Sequence, residues 1–187
     1  MAVRIKSHWW NEENTRSLVE ISGALAFIAW RIAVDKAIQL HCQRFLYRDD
    51  AQRLAVIAEY LIFLIQIADR LAYQQFDDEA RRILIIELAK KCVVHVQDNS
   101  TDLLGPADYA ADFIDHLNTR SEDYAEFQLT AEGPSYSWLR HLGFEIQTLM
   151  GSGEDNRWVI DQVMDQDGWD AYRRFAKAFG DLTAAAQ

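Results

Sequence analysis

Little in this sequence staples the chain or bends it. Only two cysteines and two prolines occur in 187 residues, and glycine is limited to eight. Cys42 and Cys92 stand far apart, each inside an apolar, helix-like stretch. That pattern excludes a disulfide scaffold and reads as small core residues in a reducing compartment, so a cytoplasmic location is expected. The glycines are scattered, which removes phosphate-cradling loops and dinucleotide folds; no Gly-x-Ser-x-Gly elbow or Cys-x-x-Cys pair occurs either. Runs of strict apolar–polar alternation are missing, so strands are not expected.

Positive charge is also scarce. Lysine and arginine total 19 against 29 acids, a formal net charge of −10. The basic doublets Arg81-Arg82, Lys90-Lys91 and Arg173-Arg174 are isolated and have acids nearby, so neither nucleic acid nor an anionic membrane surface is an expected partner. Long hydrophobic runs are lacking too. A membrane span needs about 20 consecutive mostly apolar residues. The greasiest segment, "EYLIFLIQIADRLAY" from Glu59 to Tyr73, is bracketed by Glu59 and the Asp69-Arg70 pair. "ISGALAFIAW" is closed by Glu20 and Arg31. Both are too short to cross a bilayer. The opening "MAVRIKSHWWNEEN" has no apolar run and no small-residue cleavage site, so it is not read as a secretory signal.

What remains is helical patterning in half-hydrophobic material, enough for a genuine core. The expected fold is all-α: an irregular bundle of about six helices in one domain spanning residues 1–187, with 1–13 as an N-terminal strap or extension. The helices are placed at about 14–46, 51–75, 78–97, 106–128, 135–150 and 156–181, the last broken near "DQDG". Asp49-Asp50, Asp77-Asp78, Asp155-Asn156 and Asp167 supply carboxylate or amide oxygens for free N–H groups at helix starts. Pro106 and Pro134 are placed at first helical positions, where no N–H is needed. "QDNSTDLLGP" reads as the longest connection and "TAEGPS" as a tight one. The first two helices are expected to form a central hydrophobic hairpin.

At about 100° per residue, Glu59, Gln66, Arg70, Tyr73 and Asp77 fall on one narrow stripe of the second helix, with Asp69 at its edge. Apolar residues cover most of the remaining circumference. On the first helix, Glu20, Arg31 and Asp35 share a face with Phe27, Trp30, Val34 and Ile38. Arg31 and Asp35 have the spacing of a surface ion pair. If the two polar stripes face each other, Arg31 reaches Glu59 or Asp69, and Arg31, Glu59, Gln66, Asp69 and Arg70 line an inter-helical pocket for a small apolar or amphipathic ligand. The competing expectation is a closed network of paired charges.

Metal chemistry finds little footing. A ferritin-like di-iron site needs Glu-x-x-His on two helices, and no glutamate here has a histidine at the third position. Asp112 with His116, and His141 with Glu145, are spaced one turn apart. Each pair lies opposite its own helix's apolar face, so four ligands are not expected to converge. Cys42 beside His41 points about 100° away from it and is expected inside. No catalytic residue, cofactor or metal is therefore assigned. Trp9 and Trp10 are the candidate interaction residues, since tryptophan is enriched where proteins meet partners. The functional expectation is a non-catalytic module that associates with itself or with another protein. The ligand binder is the alternative, and a metal-dependent enzyme a distant third.

Overall fold

The computed structural model describes residues 17–184. Trp9, Trp10 and the 1–13 strap lie outside the described residues. The elements are α1 (Leu18–Cys42), α2 (Asp50–Gln75), α3 (Asp78–Leu104), α4 (Tyr109–Ala125), α5 (Tyr136–Met150), α6 (Val159–Gln162) and α7 (Gly168–Ala184). A π turn over Val163–Asp167 carries α6 directly into α7, so these two behave as one rod and the described residues form an all-α bundle of six. Among the described residues, extended pairing is limited to the isolated bridge Leu129–Pro134.

Side-chain oxygens start most helices. Ser17 and Glu20 form a reciprocal capping box on α1. Asp49, Asp77 and Asp108 accept backbone N–H groups at the starts of α2, α3 and α4. The prolines sit further out than their expected first helical positions. Pro106 lies two residues before the Asp108 cap and Pro134 immediately before Ser135, the first residue ahead of α5. A capping carboxylate satisfies the N–H three residues further on, whereas a proline merely lacks one.

α2 is the axis of the molecule and contacts α1, α3, α4, α5 and α7. An unbroken buried run from Glu59 to Ala68 shows that it is surrounded rather than half-exposed. Phe63 meets Trp138 edge-on at 6.4 Å, and Tyr124 tilts against Trp138 at 5.5 Å, tying α2, α4 and α5 together. α1 and α3 run in the same direction. Ser22 Oγ donates to Leu84 O at 3.0 Å near their starts, and Trp30 stacks on His95 further along.

Three expectations change. α1 ends at Cys42, not near residue 46, because Arg44 takes a left-handed turn at φ 75°. Cys42 is consequently exposed at the helix end instead of packed inside, whereas Cys92 is buried. The tract read as a long connection is helix: α3 continues to Leu104. Its polar residues bond back within or near the helix, Asn99 to His95 O and Gln97 to Thr101 Oγ1 and Ala107 O. Gly105, at φ 93°, then stops it. The break foreseen at "DQDG" falls at the right place but is a π turn, not an interruption. There Gly168 lies so close to α5 that a Cβ would stand 2.8 Å from Leu139 Cδ2.

Candidate functional site

Glu59 is fully buried in the middle of α2. A carboxylate there requires a cation and hydrogen bonds, and α4 brings both. Arg120 Nη2 donates to Glu59 Oε1 at 2.9 Å and Arg120 Nε reaches both oxygens at 3.2 Å. His116 Nε2 lies 2.9 Å from Glu59 Oε1. Burial alone would raise the Glu59 carboxyl, but the His116 and Arg120 contacts outweigh it and hold it below the ordinary carboxylate range.

The network continues outward. Arg120 also pairs with Glu145 of α5 and, at 3.3 Å, with Asp123. His141 stands 3.5 Å from Asp123 and 3.9 Å from Glu145. Its ring meets Tyr124 edge-on at 5.0 Å. The Tyr124 phenol is pushed well above its ordinary value, first by burial and then by the nearby Glu59 charge. Two histidines and three carboxylates thus gather around one guanidinium.

That gathering corrects the expectation that His116 and the His141–Glu145 pair face away. The apolar side of α4 is not centred on Ala110, Phe113, Ile114 and Leu117 but rotated toward Phe113, Arg120 and Tyr124, leaving Ile114 43% exposed. Pairing Glu59 requires Arg120 to face inward, and His116 comes with it. Asp112 stays exposed. Arg120 fills the centre; among the described residues no group of three or more His, Cys, Asp or Glu could hold a metal ion. Arg120 was legible as the residue between Phe113, Leu117 and Tyr124 on one helical face.

The five residues expected to share a pocket separate into three places. Arg31 is exposed and lines a groove of about 370 Å3 between α1 and α7, with Phe27, Asp35 and Arg174. Its guanidinium lies 5.9 Å from the Phe27 ring. Asp35, one turn away, pairs instead with Arg174 at 2.5 Å. Glu59 belongs to the closed network. Gln66, Asp69 and Arg70 do come together, lining a groove of about 350 Å3 with Ile65, Ile85 and Leu117 between α2, α3 and α4. Gln66 donates to Ser121 at 2.7 Å; Asp69 takes Arg70 at 2.9 Å and both donors of Arg81, at 2.6 and 2.8 Å. No open carboxylate remains in that groove.

A second buried ionic cluster lies where the π turn meets α1. Lys36, 2% exposed, places Nζ 2.5 Å from Asp170 and 3.7 Å from Asp167, and donates to Gln39 at 2.7 Å. Burial raises the Asp167 carboxyl despite Lys36. Asp170 is held low, because Lys36 and Arg174 outweigh its partial burial. The fully buried Tyr60 hydroxyl nearby has no hydrogen-bond partner. The signal was present in the sequence: Lys36 falls on the apolar face of Ala29, Ile32, Ala33 and Leu40.

No helix among the described residues is long and apolar enough to cross a membrane. Compared with known proteins, the chain significantly matches no family model, no curated protein and no solved structure.

Proposed function

We propose that this is a non-catalytic, self-associating helical module of the cytoplasm. The observation that carries it is the outer face of α1. Phe27 and Ile38 are 53% and 52% exposed on the same side of the helix, whereas the acids buried in the molecule are clasped by cations. Large apolar side chains grouped on one face mark contact surfaces more often than scattered ones do. Acid–base chemistry would need a carboxylate or imidazole presented to substrate, and Glu59 is enclosed by its partners. The test is the mass of the purified full-length chain by sedimentation across a concentration range. A mass rising above the 21.6 kDa monomer supports the reading; a constant monomer mass overturns it. Trp9→Ala and Trp10→Ala variants, run alongside, report whether the N-terminal residues take part.

A second reading has its own observation. The groove holding Gln66, Asp69 and Arg70 is apolar along Ile65, Ile85 and Leu117 and polar at one end, which suits a small amphipathic ligand. Binding of anilinonaphthalene sulfonate to the native chain, abolished by the groove-filling Ala89→Trp, would favour it.

A further inference from the structure

Around the π turn, three buried polar atoms come near one another without bonding. The Tyr60 hydroxyl of α2, Asp167 Oδ2 of the turn and Gln162 Nε2 of α6 have no hydrogen-bond partner among the described residues. Tyr60 is fully buried and Asp167 is 3% exposed. Their polar neighbours are already engaged. The Tyr47 hydroxyl donates to Ala37 O at 2.9 Å, and Lys36 Nζ serves Asp170 and Gln39. The same ammonium stands 3.7 Å from Asp167 Oδ1, beyond a direct hydrogen bond. Burial raises the Asp167 carboxyl, while Lys36 and Gln162 act on it in the opposite direction. Gln162 is thus beside the carboxyl without closing a bond to Oδ2. Burial likewise raises the Tyr60 phenol, and the Asp167 charge adds to it.

The backbone explains how these groups meet. Residues five apart on an α-helix point about 140° away from each other. The wider π turn, with its i→i+5 bonding, swings Asp167 back towards the side of Gln162. The donor pattern then restricts the occupant. Asp167 Oδ2 accepts, Gln162 Nε2 donates, and the Tyr60 hydroxyl does either. An anion is repelled by the carboxylate; a cation meets the Lys36 ammonium and the Gln162 N–H. A neutral molecule that both donates and accepts suits all three, and three enclosed polar atoms are what one internal water characteristically joins. Gln162 also gives such a molecule a way in: its side chain lines a surface groove of about 370 Å3 with Cys42, Phe45 and Gln166, while its Nε2 is buried.

We propose that the π turn builds an internal water-binding site. One water accepts from Gln162 Nε2, donates to Asp167 Oδ2 and pairs with the Tyr60 hydroxyl, while Lys36 faces the other oxygen of the same carboxyl. The water holds three elements together at the point where α6 passes into α7, and it exchanges with solvent past Gln162. This site is independent of whether the chain associates with itself.

The experiment has two arms, both on the full-length chain with water itself as the probe. In the first, nuclear magnetic resonance of the wild type records cross-peaks between water and the Gln162 side-chain amide. A held water gives opposite signs in the laboratory and rotating frames, whereas simple proton exchange gives the same sign in both. In the second arm, urea unfolding compares Tyr60→Phe, Gln162→Leu and the double variant. Without a shared water, Tyr60→Phe deletes an unsatisfied buried hydroxyl and stabilises the fold. With it, each single variant lowers the folding equilibrium constant by about three- to tenfold, the value of one hydrogen bond. The double variant then loses less than the product of the two, since both substitutions release the same molecule. A missing cross-peak, a Tyr60→Phe variant as stable as the wild type or more so, or independent effects in the double variant overturns the site. Tyr60→Phe keeps the ring, circular dichroism checks that each variant folds, and the first arm needs no variant at all.

Discussion

Arg120 holds Glu59 from the neighbouring helix, its Nη2 2.9 Å from Glu59 Oε1, and that carboxylate is fully buried. Removing one partner strands the other. Arg120→Ala should cost about 3–5 kcal/mol, the range for an uncompensated buried charge. Glu59→Gln, which keeps hydrogen bonding, should cost less. The Glu59→Leu/Arg120→Met double variant should be milder than the sum of its singles, since both charges leave together. Urea unfolding at neutral pH measures all of them, and strict additivity would contradict the coupling.

Acid should act through the same carboxylate. The folded Glu59 pKa lies below its unfolded value, so its contribution is complete above the ordinary carboxylate range and is lost as pH falls through the lower, folded value. Asp170 has the same sign. Asp167 has the opposite sign: its folded value is raised, so it costs stability once ionised, and protonation relieves that cost. Unfolding free energy should therefore drop below about pH 4, with a shallower slope in Glu59→Gln. An unchanged slope in that variant would remove Glu59 from the acid response.

Lys36 answers to two acids of unequal exposure. Lys36→Met strands Asp167, whose side chain is only 4% exposed, while Asp170, 42% exposed, can turn to water and keeps Arg174. A loss of about 3 kcal/mol is expected, at the low end for a broken buried pair. Adding Asp167→Asn should recover part of it. Thermal unfolding of the single and double variants decides; no recovery would mean that Asp167 is not the stranded charge.

The thiols should differ sharply in reactivity. Cys42 is exposed, whereas burial pushes the Cys92 thiol up to about 12. Dithionitrobenzoate should label the folded protein at Cys42 only, and Cys42→Ser should abolish that fast phase. Cys92 should react only as fast as the chain unfolds.

Gly133 closes the turn before α5 at φ 134°, and a Cβ there would stand 2.7 Å from both Trp169 and Tyr172. Gly133→Ala should destabilise by more than about 1 kcal/mol, combining strain and clash. Gly153→Ala, with open space around it and φ −59°, is the control and should be near neutral.

How much of this was legible follows from what a helical wheel records. It orders residues around one helix, so the central position of α2 and the helix starts at Asp49 and Asp77 could be read directly. Where α3 ends could not, because the composition of "QDNSTD" is that of a loop. Only the side-chain bonds of Asn99 and Gln97 and the conformation of Gly105 reveal that the helix continues. A wheel also says nothing of which neighbour supplies a counter-charge. Glu59 needed a cation on any reading; Arg31 was the cation at hand on the preceding helix, while Arg120 lies 61 positions further along. The grouping of Gln66, Asp69 and Arg70 survived because it required one helix alone.

The π turn at Val163–Asp167 sets the phase of everything after it. An α-helix advances about 100° per residue, so a chain one residue shorter there would keep its composition and its apolar content. Yet Asp170 would swing from beneath Lys36, and Phe175 and Phe179 would rotate away from the core they now fill. The wide turn is thus a timing element, by which a rod that begins against α5 finishes in step with α1 and α2.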